Sequence, residues 1–323
     1  MQDRTNRDRL EPESRRLFDK LCARDRRLAQ NESPEHRRRV FEEFRSETDP
    51  PFEQVAEVNE IAIPTPAAPL NCRLYHPHAE GPAHCLVWFH GGGHVVGDLE
   101  THDALCRVVA NRSGCAVLNV DYRLAPERPF PAAFDDAVSA IRWAGGAPEG
   151  YRLDHRKVSA GGSSAGGNLA TAAALEVLQT GGPDLLCQLL VYPAVDATLR
   201  HETYRTFGTG FSFTTEKRRW SRDQYAGTHQ DLEDPRLSPL YSDSLAMLPQ
   251  TLIITAELDP LRGEAEDYAA RLAKVGVEVA LVRYSGVMHG FFSQSGYLSK
   301  GKAAVAKLAK TLGDAASTGA GAE

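Results

Sequence analysis

The sequence predicts an α/β protein in which helices cover both faces of a mostly parallel sheet. Several short, continuous apolar runs favour this class, because strands that are buried on both faces lack the alternation of a half-exposed sheet. Helical patterns separate the runs, as in parallel strands that are joined by crossover helices. The apolar runs lie at 85–89, 115–120, 189–192 and 252–255, and the helical patterns at 101–112, 131–144, 165–179 and 262–275.

The first 50 residues are rich in charge and contain no glycine. An apolar stripe that begins at Leu17 has helical spacing, and Ser33 followed by Pro34 is typical of a helix start. We therefore expect two or three amphipathic helices with charged outer faces. They would form an N-terminal helical cap segment that spans residues 1–50.

Further extended segments are predicted outside the four apolar runs. Branched apolar residues suggest strands at 55–63 and 70–75, and a short strand at 157–160 precedes a helical pattern. The last strand, at 277–284, begins with polar–apolar alternation and should be more exposed than the others.

Residues 200–230 fit the alternation poorly, since they mix glycines and aromatic residues with a helical pattern around Trp220. We interpret them as a cap insertion over the sheet. The catalytic domain is then expected at 51–199 and 231–315. The small and polar residues of the tail, 316–323, predict disorder.

The composition is that of an ordinary globular protein, with 323 residues, 42% hydrophobic and 25% charged residues, and a net charge of −6. This charge argues against nucleic acid as a partner. The arginines at 37–39 could form a nucleic-acid patch, but neighbouring glutamates favour a solvated helix face.

The chain is expected in the cytoplasm, without stable membrane association. Its first residues lack the apolar core of a signal peptide, and no run has the length of a membrane span. None of the six cysteines forms a C-x-x-C pair, and several lie in apolar runs. Buried free thiols in a reducing compartment are therefore favoured over disulfides.

A turn rich in glycine and serine follows the strand at 157–160. Ser164 has glycine two residues away on both sides, at Gly162 and Gly166, and such small neighbours let a tight strand-to-helix turn close. Alone the motif is weak, because a helix cap or a phosphate loop can have similar residues. Ser163 is chemically identical but lacks the paired glycines, so Ser164 is the expected nucleophile.

Three glycines follow His90 at the end of a predicted strand. Main-chain N–H groups in such a loop can approach a ligand closely and stabilise an oxyanion. The expected donors are Gly92, Gly93 and Ala165. His90 and His94 could bind a metal, but the glycines between them disfavour the helix that zinc ligands at this spacing need. We therefore expect no metal.

Candidates for the acid and the base follow the last strands. Asp259 lies just after the run at 252–255, where α/β sheets place functional groups, and Glu257 is its rival. His289 lies in a glycine-containing loop after the last strand. A serine needs a base to take its proton, histidine suits that role, and an aspartate orients the imidazole.

With these residues assembled, the chain resembles the hormone-sensitive-lipase-like branch of the α/β-hydrolases, the bacterial family IV esterases. The order of nucleophile, acid and histidine is that of the α/β-hydrolases. The resemblance extends from about residue 50 to residue 312, and the N-terminal helices resemble the family's cap. The matching motifs lie at 90–93, 122–127, 259–262 and 288–291.

The resemblance implies an eight-stranded sheet, a cap built from the N-terminus and the 200–230 insertion, and ester hydrolysis without a cofactor. It supports Asp259 over Glu257, and dimers of the family suggest a homodimer through the strand at 277–284. Two positions depart from the family pattern. Ser163 replaces the usual aspartate or threonine, and Gly263 lies where a further aspartate is usual.

The expected function is therefore hydrolysis of small-molecule carboxylic esters with short to medium acyl chains, through an acyl-enzyme. An amidase, deacetylase or peptidase could use the same triad. A ligand receptor is a third hypothesis, but relatives of that kind have lost the histidine that is present here as His289. Four aromatic residues of the insertion could line an acyl pocket, although a cap core is favoured for them: Phe207, Phe211, Phe213 and Trp220.

Overall fold

The computed structural model describes residues 7–28, 33–78 and 80–318. The strands are β1 (Glu57–Ile63), β2 (Leu70–His76), β3 (Ala83–Phe89), β4 (Ala116–Val120), β5 (Leu153–Ser163), β6 (Leu185–Val191), β7 (Thr251–Leu258) and β8 (Val279–Met288). The α-helices are α1 (Pro12–Leu28), α2 (Pro34–Thr48), α3 (Glu100–Ser113), α4 (Ala132–Gly145), α5 (Ala165–Gln179), α6 (Thr203–Thr206), α7 (Thr215–Ala226), α8 (Arg262–Lys274) and α9 (Ser299–Thr318). No helix within the described ranges has both the length and the apolar character needed to cross a bilayer.

The strands form one sheet in the order β1-β2-β4-β3-β5-β6-β7-β8. The pairs β1–β2 and β2–β4 are antiparallel, and every neighbouring pair from β4 to β8 is parallel. The predicted mostly parallel, helix-covered sheet is thus confirmed. Its parallel strands all end at one edge, which is where α/β proteins place their binding sites.

Side chains of the central strands alternate between two apolar layers, as the two-residue period of a strand requires. In β3, Cys85, Val87 and Phe89 face a layer that includes side chains of α4, α5 and α8. Leu86 and Trp88 face the opposite layer, which includes side chains of α1, α3 and α9. Burial on both faces explains why the central strands have continuous apolar sequences.

Several strands are longer than the sequence predicts, and β5 and β8 are two that extend toward the site. β5 extends through Gly161 and Gly162 to Ser163, and β8 extends to Met288. Glycine and serine weaken the strand pattern, so propensity ends β5 too early. In the sheet, neighbouring strands hold both glycines in register on either side, and Gly162 aligns with Phe89 and Leu190.

Helix α9 extends into the segment for which disorder is predicted, and this corrects the prediction for 316–318. Those residues complete the helix, because Ala315 is buried and Ala316 packs against the same apolar layer. Alanine also has the highest helix propensity. Residues 319–323 lie outside the described residues.

The arginines of α2 are not a simple solvated face. Arg38 donates from Nε to the carbonyl oxygen of Val95 at 2.9 Å and from Nη2 to that of Ala125 at 3.2 Å. It also forms an ion pair with Glu127 at 2.7 Å. Arg38 therefore fastens α2 to the loops that follow β3 and β4, while Arg39 is exposed.

A buried carboxyl on α8 joins the loop after β6 to the 200–230 insertion. Glu264 Oε1 accepts the N–H groups of Val195 and Asp196 at 2.8 and 3.3 Å, and Oε2 accepts the hydroxyl of Tyr204 at 2.6 Å. Burial raises the pKa of Glu264 from 4.5 to about 8. The folded protein thus keeps a proton that the unfolded chain loses near pH 4.5.

We expect the difference in melting temperature, Glu264→Gln minus wild type, to increase as the pH rises from 5 to 8. Because its pKa is raised in the folded state, Glu264 costs the wild type stability as pH rises through this window. The amide has no such cost, and the difference should reach on the order of 2–4 kcal/mol in unfolding free energy. Thermal unfolding of both proteins at the two pH values tests this, and a difference that falls with pH would contradict it.

Candidate active site

Ser164 occupies the turn between β5 and α5, with φ of +56°. A Cβ at Gly162 would lie 2.3 Å from the carbonyl oxygen of Gly166, and a Cβ at Gly166 would lie 1.9 Å from that of Phe89. Side chains at these positions would collide with backbone, so the turn requires both glycines. The turn places Ser164 in the wall of a pocket at the carboxyl edge of the sheet.

The structure brings Ser164 together with His289 and Asp259. His289 Nε2 lies 3.0 Å from Ser164 Oγ, and His289 Nδ1 lies 2.7 Å from Asp259 Oδ2. Asp259 is fully buried, and its Oδ1 accepts the N–H of Leu261 at 2.9 Å. The three residues directly follow β5, β7 and β8, parallel strands that end at the same edge of the sheet, with β6 between β5 and β7.

The rival carboxylate, Glu257, has other partners. Its Oε2 accepts the N–H of Gly286 at 2.8 Å, and its Oε1 lies 3.3 Å from Arg9 Nη2. The backbone hydrogen bond from Gly286 holds the pKa of Glu257 below its usual value. Glu257 therefore connects Arg9 of the N-terminal region to Gly286 of β8, whereas Asp259 contacts the imidazole of His289.

The glycine loop lies beside Ser164, and residues 91–93 line the same pocket. Gly92 and Gly93 have φ of +129° and +65°, and a Cβ on Gly92 would lie 2.0 Å from the carbonyl oxygen of Val96. The N–H of Val96 donates to the carbonyl oxygen of Gly92 at 3.0 Å, which fixes the loop. Ala165 is the first residue of α5, so its N–H has no carbonyl acceptor within the helix.

The histidines of this loop support its backbone. His90 stacks on Tyr122 with ring centroids 4.2 Å apart, and His94 stacks on Tyr225 at 3.7 Å. Burial lowers the pKa of His90 to about 4 and that of His94 well below its usual value. Across the described part of the chain, no three His, Cys, Asp or Glu side chains are arranged to hold a metal ion.

A second serine–histidine hydrogen bond lies inside the sheet. His84 Nε2 is 2.8 Å from Ser159 Oγ, which is 3.1 Å from Cys187 Sγ. All three side chains are buried and lie away from the pocket wall. Burial lowers the pKa of His84 to about 4, which makes it a weak base. We therefore assign this pair to the core.

Two aromatic rings contact the imidazole of His289. Phe213, from the 200–230 insertion, stacks on it with centroids 4.2 Å apart and planes at 21°, and Tyr192 lies at 4.5 Å. Tyr192 follows β6 directly, with φ of +36°. The contact of Tyr192 with His289 was not predicted, although an aromatic residue at the end of the strand beside β5 was a usable signal.

A buried arginine connects the N-terminal helices to the histidine loop. Arg45 of α2 donates to the carbonyl oxygens of Thr101, at 3.1 Å, and Ser293, and it forms an ion pair with Asp49. The Ser293 hydroxyl lies 3.3 Å from that of Tyr192. The segment after His289 is thus held by Arg45 of α2 and by Tyr192 at the end of β6.

The pocket encloses about 210 Å³ between the sheet edge, α1, α2 and α7. Its wall includes Phe213 and Trp220, whereas Phe207 and Phe211 are buried against each other with centroids 6.4 Å apart. Phe213 and Trp220 therefore line the pocket, whereas Phe207 and Phe211 belong to the apolar layer that also contains side chains of α1, α3 and α9. The sequence alone does not show which of the four aromatic residues line the pocket.

A family model described as "alpha/beta hydrolase fold" matches residues 86–293. The carboxylic ester hydrolase LipN of Mycobacterium tuberculosis is 41% identical over 243 residues, which span 73% of this chain and 65% of LipN. The ethyl acetate hydrolase of Pseudomonas putida is 35% identical over 249 residues, which span 75% of this chain and 78% of that enzyme.

Solved structures agree with the sequence relatives. An α/β-hydrolase enzyme from the metagenome of Lake Arreo, Spain, superposes with a TM-score of 0.89 at 36% identity, over 95% of this chain and 98% of that one. A hyperthermophilic esterase from the archaeon Pyrobaculum calidifontis has a TM-score of 0.83 at 36% identity, over 91% and 97% of the two chains. These findings confirm the fold and the family that the motifs predict: the chain belongs to the α/β-hydrolases, in the hormone-sensitive-lipase-like branch of carboxylic ester hydrolases.

Proposed function

We propose that this protein is a serine carboxylesterase that hydrolyses esters with short to medium acyl chains, with Ser164, His289 and Asp259 as its catalytic triad. The observation that carries the proposal is the hydrogen-bonded chain from Asp259 through His289 to Ser164 in the wall of a pocket. This chain supplies the nucleophile, the base and the orienting carboxylate of acyl transfer.

In the first half of the reaction, Ser164 Oγ attacks the ester carbonyl carbon while His289 Nε2 takes the hydroxyl proton. Asp259 accepts the hydrogen bond from Nδ1–H, which fixes the tautomer of His289 and stabilises the imidazolium. The imidazolium then protonates the leaving alcohol as the carbon–oxygen bond breaks. The product of this half is an acyl-enzyme on Ser164.

In the second half, His289 takes a proton from water, and the resulting nucleophile attacks the acyl-enzyme. Collapse releases the carboxylic acid and returns the proton to Ser164. In both halves the main-chain N–H groups of Gly92, Gly93 and Ala165 stabilise the tetrahedral oxyanion. The reaction uses protein groups and water, so the proposal includes no metal and no cofactor.

Initial rates on p-nitrophenyl esters from acetate to palmitate test the acyl range. We expect the highest kcat/KM at short chains, because a cavity of about 210 Å³ holds a short acyl group and the named relatives include an ethyl acetate hydrolase. A maximum at palmitate would refute this range. Matched anilides separate an esterase from an amidase, since amide turnover equal to ester turnover would favour the amidase.

We also propose a cytoplasmic homodimer that pairs through β8. The five buried cysteines suit a reducing compartment, and β8 is an edge strand with an unpaired side. Leu281, on this strand, is 43% exposed. Light scattering of the wild type and of a variant with proline at an outward-facing β8 position would test the dimer.

A further inference from the structure

The part of the pocket wall that the cap supplies is positively charged. Arg24 of α1, Arg37 of α2 and Lys217 of α7 line it, whereas Arg45 in the same wall is paired with Asp49. Among the described residues that line the pocket, none is an aspartate or a glutamate. A pocket for simple neutral esters needs no such charge.

The two cations from α1 and α7 share one carboxylate, which lies outside the pocket wall. Asp25 Oδ1 is 3.0 Å from Arg24 Nη2, and Asp25 Oδ2 is 2.8 Å from Lys217 Nζ. The three charges together leave the group positive. The guanidinium of Arg37 lies 4.1 Å above the Trp220 ring in the same wall.

These cations are partly withdrawn from water. The side chain of Lys217 is 31% exposed and that of Arg24 is 18% exposed. Burial, and then the charges of Arg24 and Arg37, lower the pKa of Lys217 in spite of its bond to Asp25. Because charges interact more strongly at lower effective dielectric, an anion bound here would be attracted more than at an open surface.

Ser212 places this cationic group close to the triad. Its Oγ accepts from Arg24 Nη2 at 2.7 Å, and its carbonyl oxygen accepts from Lys217 Nζ at 2.6 Å. The next residue is Phe213, whose ring stacks on His289. Ser212 and Phe213 therefore join the cationic group to His289 within one pocket wall.

We infer that the pocket selects esters that carry a carboxylate at the end of a short chain, such as half-esters of dicarboxylic acids. The inference rests on the proposed esterase function and names its substrate class. Hydrolysis of such a half-ester with water yields a dicarboxylate and a neutral alcohol. An anion on the alcohol part would instead yield a hydroxy acid.

Two pairs of isosteric substrates test the inference at pH 8 and low ionic strength, with acid release followed by pH-stat. Monoethyl glutarate is compared with ethyl 5-methylhexanoate, and 4-acetoxybutanoate with 4-methylpentyl acetate. In one of the two pairs we expect kcat/KM for the anionic ester to be about tenfold higher than for its neutral partner. The pair that shows this preference identifies whether the acyl part or the alcohol part carries the carboxylate. Added sodium chloride should reduce the ratio, because salt screens the attraction.

Substitutions of Lys217 and Arg24 test whether these cations cause the preference for anionic esters. Lys217→Gln and Arg24→Gln should each lower the ratio of anionic to neutral kcat/KM, and this ratio does not depend on the amount of folded protein. Arg39→Gln, an exposed arginine outside the pocket wall, should leave the ratio unchanged. Ratios of one or less in both wild-type pairs, with neutral esters hydrolysed, would overturn the inference, as would a ratio that neither variant lowers. Failure to hydrolyse any ester would refute the proposed function itself.

Discussion

Replacing Ser164 with alanine is expected to lower kcat on p-nitrophenyl butyrate by about 10⁵–10⁶-fold. The substitution removes the atom that forms the acyl-enzyme in the proposed mechanism, while the glycine loop and the pocket remain to bind the ester. KM should therefore change far less than kcat. Steady-state kinetics on purified protein, with thermal unfolding as a check of folding, would measure both quantities.

Ser159→Ala is the matched control for this experiment. It removes the hydroxyl of the second serine–histidine pair, which is buried in the sheet. Its activity per folded molecule should stay close to that of the wild type. If Ser164→Ala kept wild-type turnover, the nucleophile would have to be another residue, and the proposed mechanism would be wrong.

Asp259→Asn is expected to lower kcat by about 10³–10⁴-fold. The amide can present an N–H to His289 Nδ1, which favours the tautomer with its proton on Nε2. That tautomer cannot accept a proton from Ser164. The Oδ1 of asparagine can still accept the N–H of Leu261, so the melting temperature should change little. Kinetics and thermal unfolding on the same preparation separate the two effects.

Glu257→Gln is the comparison that decides between the two carboxylates. Its side chain bonds to Gly286 and Arg9, away from the imidazole, so we expect some loss of stability and nearly unchanged turnover. A larger loss of kcat in Glu257→Gln than in Asp259→Asn would reverse the assignment of the acid.

Features that depend on a few neighbouring residues could be predicted from the sequence. Ser33 caps α2 by accepting the N–H of His36 at 3.3 Å, as its position before Pro34 suggests. The same holds for Ser164, where backbone collisions demand glycine on both sides. Such local requirements can be recognised from the residue types in the sequence.

Features that depend on packing between distant elements could not be predicted. The charge pattern around Arg38 indicates a solvated face, but docking of α2 brings it to main-chain oxygens far along the chain. The contact of Phe213 with His289 likewise depends on where the insertion folds back. The residues adjacent in sequence to Arg38 and Phe213 do not indicate these contacts.

The ring of Phe213 lines the pocket and also stacks on His289, the proposed general base, so the proposed mechanism couples substrate range and catalytic rate at one position. Directed evolution that reshapes the acyl pocket through Phe213 should alter turnover on every substrate at once. Trp220 lines the same cavity from α7 and stacks with Arg37 rather than with the imidazole. A library that varies Trp220 and keeps Phe213 should therefore yield new specificities at a smaller loss of activity.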